Sequence, residues 1–431
     1  MHHRTTRRRF LKTSATAGLA VWIAPRAARA ATSPNEKLNI GVVGTTNRAG
    51  ENLKAVSGEN IVALCDVDER LLGPVAEKYP AAAKFTDFRK MLENAKNIDA
   101  VVVATADHCH ALATVMALRL GKHVYCEKPL THTVAEARLI ATEAAKAKVA
   151  TQLGTQIHAG DNYRRVVEII QSGAIGAIDR IHVYVNSGYG LSKIADKGAD
   201  IPAGFHWDTW LGPAPQRPYQ PIYHPQQWRK FWDFGGGTLA DFGCHHIDLS
   251  FWALNLRYPV TVEAHSAAPA DPDRAPAELT VDYEFPARGD APAVQLTWYQ
   301  GAKRPEVFED AGAPENWGNG TLFVGDKGLL LANYSKYLLF PREQFKDFKP
   351  PAPTIAPSIG HHAEWIKACK EGTPTLCNFD YGGALTETVH LGNVSHRLGK
   401  KLEWDPARLT ATNAAGAHAF LRYEYRKGWE L

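Results

Sequence analysis

The chain has 431 residues, 45% of them hydrophobic and 22% charged, with a formal net charge of +4 at pH 7. This length is enough for two domains with sizeable cores. Residues 1–30 contain seven Lys or Arg and no acidic residue, so removing them changes the net charge from +4 to −3. The remainder is mildly acidic, which gives no electrostatic reason to expect a nucleic acid or an anionic membrane as partner.

Residues 1–30 are predicted to be a twin-arginine export signal. Residues 6–12 read Thr-Arg-Arg-Arg-Phe-Leu-Lys, an apolar run extends from Ala15 to Ala24, and Ala28-Arg29-Ala30 fits a cleavage site. The apolar run is too short to span a bilayer. A disordered basic tail is the alternative, which the combination of all three elements disfavours. We therefore expect a periplasmic or otherwise exported protein, and export after folding favours a tightly held dinucleotide.

Residues 36–155 are predicted to form a doubly wound parallel sheet of the dinucleotide-binding Rossmann type, because short apolar strands alternate with amphipathic helices. The strands are predicted at residues 38–43, 61–65, 99–104 and 123–126, and the helices at residues 70–79, 109–120 and 134–146. Thr133 and Glu136 have the spacing of a capping box for the last helix. Ligands bind such sheets at the carboxyl ends of the strands, so the residues after each strand are the candidate site.

The turn after the first strand, residues 44–49, reads Gly-Thr-Thr-Asn-Arg-Ala where a phosphate-binding Gly-x-Gly-x-x-Gly/Ala turn is expected. Thr46 replaces the glycine that normally lets the backbone approach a pyrophosphate, so a purely structural turn is the alternative. Asp66 ends the second strand about 20 positions after Gly44, the spacing of a carboxylate that accepts ribose hydroxyls. It could instead cap the next helix. A carboxylate there repels a 2′-phosphate and favours NAD, although Arg48 and Arg70 could offset the repulsion and admit NADP.

Two later turns carry further candidates. Thr105 and His110 follow the strand that ends at residue 104, and Thr105 could hydrogen-bond a cofactor. Glu127-Lys128-Pro129 follows the strand that ends at residue 126. Pro129 disfavours helical backbone at Lys128, so the lysine can project from the strand end. A partly desolvated lysine there can help to hold or pass an alcohol proton, whereas a solvated surface Glu–Lys pair is the alternative.

Residues 156–431 are predicted to form an α+β domain with an open, mostly antiparallel sheet. Its elements are predicted as a helix at residues 162–172, strands at 178–185, 260–264, 277–284, 294–299 and 322–331, and two helices within 359–399. An uncovered apolar sheet face is a typical interface, so a homo-oligomer through this sheet is expected. The aromatic-rich residues 205–234 either shape a carbohydrate site or bury their rings against the sheet or a neighbouring subunit.

Candidate acid–base residues follow Gly235-Gly236-Gly237. Asp241 and His245 are four positions apart and Asp248 is three further on, so a helix would place all three on one face. His245 is predicted to be the general base because the ordinary histidine pKa of about 6.5 suits proton exchange near neutrality. Asp241 would orient it. A zinc site at these three residues is the alternative, but no Cys or His with ligand spacing lies nearby, so no metal is expected.

Glu127-Lys128-Pro129 and Asp241-x-x-x-His245-x-x-Asp248 together resemble the motifs of the Gfo/Idh/MocA oxidoreductases. The resemblance implies a nicotinamide dinucleotide and hydride transfer to or from a sugar, polyol or cyclitol. It implies that Lys128 contacts both nicotinamide and substrate. The predicted cofactor contacts are Gly44, Thr45, Thr46, Asn47, Arg48, Asp66, Thr105, His110, Glu127, Lys128 and Gln156. The predicted substrate contacts are Lys128, Asp241, His245 and Asp248, of which the first three are predicted to be catalytic.

Three functions agree with these residues. The first is reversible hydride transfer on a carbohydrate or polyol, with Lys128 and His245 managing the hydroxyl proton. The second is NAD-dependent glycoside cleavage, in which transient oxidation of one ring hydroxyl permits elimination of the aglycone without net NADH. The third is a non-catalytic sugar-binding protein. The presence of Lys128, Asp241 and His245 favours an enzyme, and we expect the first function.

Overall fold

The computed structural model describes residues 37–189, 197–422 and 424–431. Within this part of the chain, a parallel sheet of six strands forms the centre of the first domain. The predicted export signal lies outside these residues. The strands are β1 (Asn39–Val43), β2 (Asn60–Cys65), β3 (Ala83–Phe85), β4 (Ala100–Val103), β5 (His123–Glu127) and β6 (Thr151–Gly154), in the order β3-β2-β1-β4-β5-β6. Every neighbouring pair is parallel. The predicted doubly wound sheet is confirmed, and its order reverses between β1 and β4.

Five helices connect these strands in the described chain: α1 (Arg48–Val56), α2 (Glu69–Ala76), α3 (Phe88–Asn94), α4 (Asp107–Arg119) and α5 (Val134–Ala147). The capping box of α5 is confirmed, because the Thr133 side chain accepts from the Glu136 backbone and Glu136 accepts in return. The sequence did not predict α1, α3, β3 or β6. β3 is only three residues long and carries no fully buried side chain, so it has no apolar signal to read.

The second sheet has nine strands in the described chain. They are β7 (Ile178–Val185), β8 (Thr261–His265), β9 (Leu279–Phe285), β10 (Val294–Gln300), β11 (Asn319–Gly325), β12 (Gly328–Ala332), β13 (Tyr337–Phe340), β14 (Leu402–Asp405) and β15 (Thr410–Ala411). Their order is β13-β12-β11-β7-β10-β9-β8-β14-β15. Within this second sheet, β7 and β10 are the only described neighbours that pair in parallel. The mostly antiparallel sheet is therefore confirmed.

The single strand predicted at residues 322–331 is wrong. The chain reverses there, and β11 pairs antiparallel with β12 so that Gly325 lies opposite Gly328. Asp326 and Lys327 form the tight turn between them. Both arms are apolar, and the turn contains only two residues, so the hydrophobic pattern runs on through it with no long polar break.

The remaining described helices are α6 (Asp161–Gln171), α7 (Trp207–Leu211), α8 (Gly237–His246), α9 (Asp248–Leu254), α10 (Glu306–Asp310), α11 (His361–Glu371), α12 (Phe379–Leu398) and α13 (His418–Leu421). Of these, α12 packs against α5, α8 and β8 and so contacts both domains. No helix of the described chain has both the length and the apolar character that crossing a bilayer requires.

The chain returns to the first domain after it has completed most of the second sheet. Trp365 of α11 belongs to the same apolar cluster as Ile40 and Val42 of β1 and Tyr125 of β5. The backbone N–H of Leu153, on the edge strand β6, donates to the Cys377 carbonyl at 2.9 Å. Helices α11 and α12 therefore complete the core of a domain whose strands end more than 200 residues earlier.

An ion pair joins α5 to α12. The Arg138 guanidinium donates to both carboxylate oxygens of Glu387, with the shortest contact at 2.8 Å, and to the Pro406 carbonyl at 2.8 Å. Trp404 Nε1 also donates to Glu387 at 3.1 Å. The Glu387 side chain is only 1% exposed, so this carboxylate depends on its partners for the stabilisation that water would otherwise give.

We expect Arg138→Ala to lower the free energy of unfolding by about 3 kcal/mol, because it leaves the Glu387 carboxylate buried without a counter-charge. Urea unfolding measures the change. Lys146→Ala on the same helix is the control, since Lys146 is 65% exposed and pairs with Glu143 at the surface, where a pair contributes about 1 kcal/mol or less. Adding Glu387→Gln to Arg138→Ala should recover part of the loss. Equal effects of Arg138→Ala and Lys146→Ala would contradict the role given to this pair.

Candidate active site

A cleft of about 590 Å³ lies at the carboxyl edge of the first sheet, between the two domains. The first domain contributes most of the predicted site residues to its lining, and the second contributes His245. The predicted residues that line it are Gly44, Thr45, Thr46, Asn47, Arg48, Asp66, Thr105, His110, Glu127, Lys128 and His245. Gln156, Asp241 and Asp248 lie outside the lining.

The turn between β1 and α1 fits a pyrophosphate. Gly44 has a φ of +89°, and a Cβ there would lie 2.5 Å from the Ala104 carbonyl oxygen, so only glycine is tolerated. Thr46 is not among the residues with positive φ, and its side chain therefore costs nothing in backbone strain. The turn leads into the N-terminus of α1 at Arg48, where unpaired N–H groups favour an anion. Thr46 therefore adds no backbone strain to the turn, and its side chain contributes to the cleft lining.

Asp66 is held at the end of β2 by the same turn. Thr45 donates to its Oδ2 from the backbone at 2.9 Å and from the side chain at 2.7 Å, and the Asp68 N–H donates to its Oδ1 at 3.1 Å. Burial raises the pKa of Asp66, and the hydrogen bonds from Thr45 and Asp68 oppose that rise. The cap of α2 is Asp68, so Asp66 does not have the capping role that was its alternative interpretation.

Gln156 lies outside the cleft lining and hydrogen-bonds to Glu127, which is part of it. Its Nε2 donates to the Glu127 Oε1 and to the Tyr125 hydroxyl, both at 2.8 Å, while Asn52 Nδ2 donates to the same Oε1 at 2.9 Å. Burial raises the pKa of Glu127, against the hydrogen bond from Asn52. The structure thus contradicts a direct cofactor contact for Gln156, whose amide is used to orient the cleft-lining Glu127.

The side chains of His110 and Thr105 contact backbone carbonyl groups beside the cleft. The His110 ring faces two carbonyl oxygens, with Nδ1 2.7 Å from that of Pro129 and Nε2 3.1 Å from that of Thr105. Burial lowers the pKa of His110 to about 4, so the neutral ring donates to one of the two carbonyls at a time. The Thr105 hydroxyl donates to the Ala106 carbonyl at 3.0 Å. His110 therefore fixes the Thr105 and Pro129 backbone beside the cleft.

Lys128 is paired with Asp241 of α8. Its Nζ donates to the Asp241 carbonyl oxygen at 2.7 Å and also to the Asp241 carboxylate. The carboxylate is shared with Arg229, whose Nε lies 3.3 Å from Oδ1, and with the hydroxyl of Tyr189. Burial raises the pKa of Asp241, but the charges of Lys128 and Arg229 outweigh it and hold the pKa below the usual range. Asp241 is therefore an anion that fixes the position of Lys128.

His245 has a defined tautomer. The Thr155 hydroxyl donates to the Cys244 carbonyl at 3.0 Å, and its oxygen lies 3.0 Å from His245 Nδ1. Both contacts are hydrogen bonds only when the hydroxyl donates to the carbonyl and accepts from the Nδ1–H, and this tautomer leaves the lone pair on Nε2. Burial and the charge of Lys128 lower the pKa of His245 well below its ordinary value. The ring is neutral near pH 7 and can accept a proton at Nε2.

The predicted orientation of His245 by Asp241 is wrong. The Asp241 carboxylate is occupied by Lys128, Arg229 and Tyr189, and Thr155 holds His245. Spacing places Asp241 and His245 on one face of the helix, but two residues on one face need not bond to each other. Here each of them bonds to residues from other elements.

The substrate contact predicted for Asp248 is also contradicted. α8 ends at His246 and α9 begins at Asp248, so the continuous helical face assumed for the three residues does not exist. The Asp248 side chain is 0% exposed, lies 3.0 Å from His158 Nδ1 and accepts from the Tyr381 hydroxyl at 2.7 Å. It is a buried structural carboxylate.

Sequence reasoning missed four residues of the site: Thr155, Tyr189, Arg229 and Asp107. Asp107 begins α4 and lines the cleft, where burial raises the pKa of its carboxyl well above the ordinary value. Thr155 is the last residue of the predicted first domain, residues 36–155, and that boundary was the available signal. Arg229 and Tyr189 lie in irregular segments whose periodicity carries no information.

The aromatic residues of the insertion mostly bury their rings in a core of their own. That core contains Phe205, Trp207, Trp210, Tyr219, Tyr223, Trp228, Phe231 and Phe234. Of these, Trp210 and Trp228 also line the cleft. The burial alternative therefore describes the insertion better than an exposed carbohydrate platform does.

The order of the first sheet, the Gly44 turn and Asp66 define a dinucleotide-binding protein of the Rossmann class. The model of the family's NAD-binding Rossmann domain matches residues 38–155, and that of its C-terminal alpha/beta domain matches residues 160–286. The chain belongs to the Gfo/Idh/MocA oxidoreductase family.

Similar proteins narrow the chemistry without fixing it. Inositol 2-dehydrogenase of Salmonella paratyphi B is 32% identical over 227 residues, which are 51% of this chain and 56% of that protein. A glycosyl hydrolase family 109 protein of Solibacter usitatus is 31% identical over 196 residues, 41% of this chain and 44% of that protein. The match thus spans about half the length of these relatives.

The structure of the WlbA dehydrogenase from Bordetella pertussis, in complex with NADH and UDP-GlcNAcA, superposes with a TM-score of 0.61. The superposition covers 86% of this chain and 99% of that one at 18% identity. This likeness supports the fold of the two domains together.

Proposed function

We propose that the protein is an NAD-dependent oxidoreductase that moves hydride between the nicotinamide and a hydroxyl-bearing carbon of a sugar, polyol or cyclitol. The observation that carries the proposal is the meeting of a fixed lysine and a neutral histidine, Lys128 and His245, in the lining of a dinucleotide-type cleft. Similarity to inositol 2-dehydrogenase supports the substrate class. The carboxylate of Asp66 supports NAD over NADP, because a 2′-phosphate would meet a like charge.

The residues divide the proton chemistry between them. The bound nicotinamide supplies the hydride acceptor or donor. Lys128 uses two of its three N–H groups on Asp241, and the third can hold the substrate oxygen. His245 Nε2 accepts the hydroxyl proton during oxidation and returns it during reduction. Asp241, with Arg229 and Tyr189, keeps the lysine in place while this charge develops on the substrate oxygen.

We expect Lys128→Ala and His245→Ala each to lower kcat by about 10²–10⁴-fold, the contribution of a positioned acid or base. The test is a panel of sugars, polyols and cyclitols with NAD and with NADP, followed by absorbance of the reduced nicotinamide. Lys90→Ala and His265→Ala are matched controls, since these side chains are exposed and lie outside the cleft lining. Near-normal turnover in both active-site variants, with folding intact, would remove Lys128 and His245 from the mechanism.

The pH profile tests the state of His245. A base whose pKa is lowered stays unprotonated at lower pH, so kcat/KM for oxidation should hold its value as pH falls through 6.5 and decline only below that.

We expect Thr155→Val to lower kcat by roughly tenfold or more, because Nδ1–H loses its acceptor and the tautomer is no longer fixed. Thr155→Ser keeps the hydroxyl and should retain activity. Equal loss in the Val and Ser variants would mean that packing, rather than the hydrogen bond, matters.

A second candidate is glycoside cleavage through transient oxidation. It uses the same residues, because oxidation of one ring carbon acidifies the neighbouring C–H and lets the aglycone leave with a proton; water then adds in its place, and the hydride returns to the carbonyl carbon. Similarity to the glycosyl hydrolase family 109 protein favours it. Aryl glycosides belong in the same panel, and product release without net NADH would identify this reaction instead of dehydrogenation.

We further propose that the protein is exported by the twin-arginine pathway, supported by the Arg-Arg-Arg-Phe-Leu-Lys pattern and the Ala28-Arg29-Ala30 site. The expected result is a secreted chain that begins near residue 31 and is lost from the periplasm when Arg7, Arg8 and Arg9 are replaced by Lys. Mass spectrometry of the N-terminus measures it. Retention of residues 1–30 on protein recovered from the cytoplasm would contradict the proposal.

A further inference from the structure

Arg229 carries a positive charge beyond the one that Asp241 requires. Its Nε lies 3.3 Å from Oδ1 of Asp241, and the Lys128 Nζ donates to the same oxygen. One carboxylate therefore faces two cations, although Lys128 alone would neutralise it. Burial lowers the pKa of Arg229, but the negative charges of Asp241 and Asp107 outweigh burial and hold the pKa above its usual value. The guanidinium therefore stays charged beside the cleft.

An aromatic ring and a glycine position this guanidinium. The Arg229 Cζ lies 4.2 Å from the centre of the Trp228 ring, a cation–π contact, and Trp228 Nε1 donates to the Pro225 carbonyl at 3.2 Å. Both residues belong to one 3₁₀ turn, Gln227–Lys230. An added Cβ at Gly235 would lie 2.8 Å from the Arg229 Cα and 3.1 Å from the Trp228 ring. The first of the three glycines before α8 therefore lets this turn pack against the chain that leads to Asp241.

The Nη groups of Arg229 are open to a ligand. Within the described residues, the hydrogen-bonding partner of this guanidinium is Asp241, which Nε contacts. Arg229 lines the cleft, and its side chain is 29% exposed. The outer edge of a guanidinium carries two parallel N–H donors, whose spacing matches the two oxygens of a carboxylate.

This edge lies close to the position where the substrate would react. Lys128 and Arg229 contact the same oxygen of Asp241, so their nitrogen atoms are separated by no more than two such contacts. In the proposed mechanism, Lys128 and His245 hold the hydroxyl group that is oxidised. A group bound to Arg229 therefore belongs to the substrate within a few bonds of the reacting carbon. The pyrophosphate turn between β1 and α1 is a separate anion site.

Asp107 does not remove the excess positive charge when it is protonated. Its side chain lines the cleft at the start of α4 and is 3% exposed. Burial raises its pKa well above the ordinary value, against the charge of Arg229, so the carboxyl keeps its proton to a higher pH than an ordinary aspartate does. In that form it can donate a hydrogen bond to an anion. Lys128, Arg229 and Asp241 then carry a single net positive charge, which favours an anionic ligand.

We propose that the substrate is a sugar acid, a uronate or an aldonate, whose carboxylate binds the Nη groups of Arg229. This inference rests on the proposed function and names the substrate class within it. The carboxylate provides the anion that the two cations lack, and a hydroxyl on a nearby carbon contacts Lys128 and His245. During oxidation that carbon transfers a hydride to the nicotinamide, and its hydroxyl proton passes to His245. The alcohol becomes a carbonyl, and the carboxylate is unchanged.

The test compares each acid with an uncharged compound of the same shape. Glucuronate, galacturonate and gluconate are each paired with the corresponding amide, which keeps the hydroxyl groups and the size but lacks the charge. We expect kcat/KM of the wild-type protein with NAD to favour the acids by about 10–100-fold, the effect of hydrogen bonds to a charged group. Amides that turn over as fast as the acids would overturn the inference and leave the proposed function standing.

Arg229→Gln removes the charged edge. Because Arg229 also contacts Asp241, this variant should slow every substrate, so the quantity to compare is the ratio of kcat/KM for acid and amide. We expect that ratio to fall to about one, whereas Arg229→Lys should keep part of the preference. Arg217→Gln is the matched control, because Arg217 stacks on Tyr223 and pairs with Asp233 outside the cleft lining. A preference that persists in Arg229→Gln contradicts the assignment.

Binding measurements separate this inference from the proposed function. Each acid and its amide are titrated by calorimetry into wild-type protein and Arg229→Gln, both saturated with NADH. Tighter binding of the acids that is lost in Arg229→Gln, without turnover of any sugar, would support the carboxylate site and refute the redox function. Equal binding of acid and amide to the wild-type protein, or none of either, would refute the carboxylate site whatever the turnover.

Discussion

Lys128 and Asp241 come from different domains, and their ion pair joins the end of β5 to the helix α8 that carries His245. The pair is 11% and 13% exposed, so each charge depends on the other for most of its stabilisation. Arg229 and Tyr189 reach the same carboxylate from two irregular segments of the second domain. One largely buried anion therefore links the two domains and holds the lysine in place. Burial and then the charge of Lys128 lower the pKa of His245, and the negative charge of Asp241 opposes that shift.

The features that the sequence predicted correctly in the first domain depend on short, local patterns of residues. Strands β1, β2, β4 and β5 and the capping box of α5 follow from apolar runs and spacing, and the residues at their ends converge because parallel strands share a carboxyl edge. The partners of those residues could not be predicted in the same way. Thr155 holds His245 across 90 positions, and Arg229 approaches Asp241 from a segment with no periodicity. Helical spacing also misled, since it assumed one continuous helix where α8 ends before Asp248.

Thr46 illustrates a different limit of pattern reading. The phosphate-binding motif prescribes glycine at both of its first two conserved positions. In this structure only Gly44 must be glycine, because an added Cβ there would collide with the Ala104 carbonyl. Thr46 needs no unusual backbone angle, so the departure from the pattern carries little energetic cost. The same distinction applies to Gly154, where an added Cβ would lie 2.8 Å from Glu127. That glycine carries no motif, yet it allows the carboxylate of Glu127 to pack beside β6.

The return of the chain to the first sheet determines the order in which the protein can fold. Trp365 and the α12 helix cover apolar surface that β1, β5 and α5 expose until residues 361–398 arrive. During synthesis the first 155 residues therefore emerge from the ribosome as an unfinished half-domain, with the edge of β6 unpaired until the Cys377 carbonyl reaches Leu153. Completion of the core of the amino-terminal domain must therefore wait for residues 361–398.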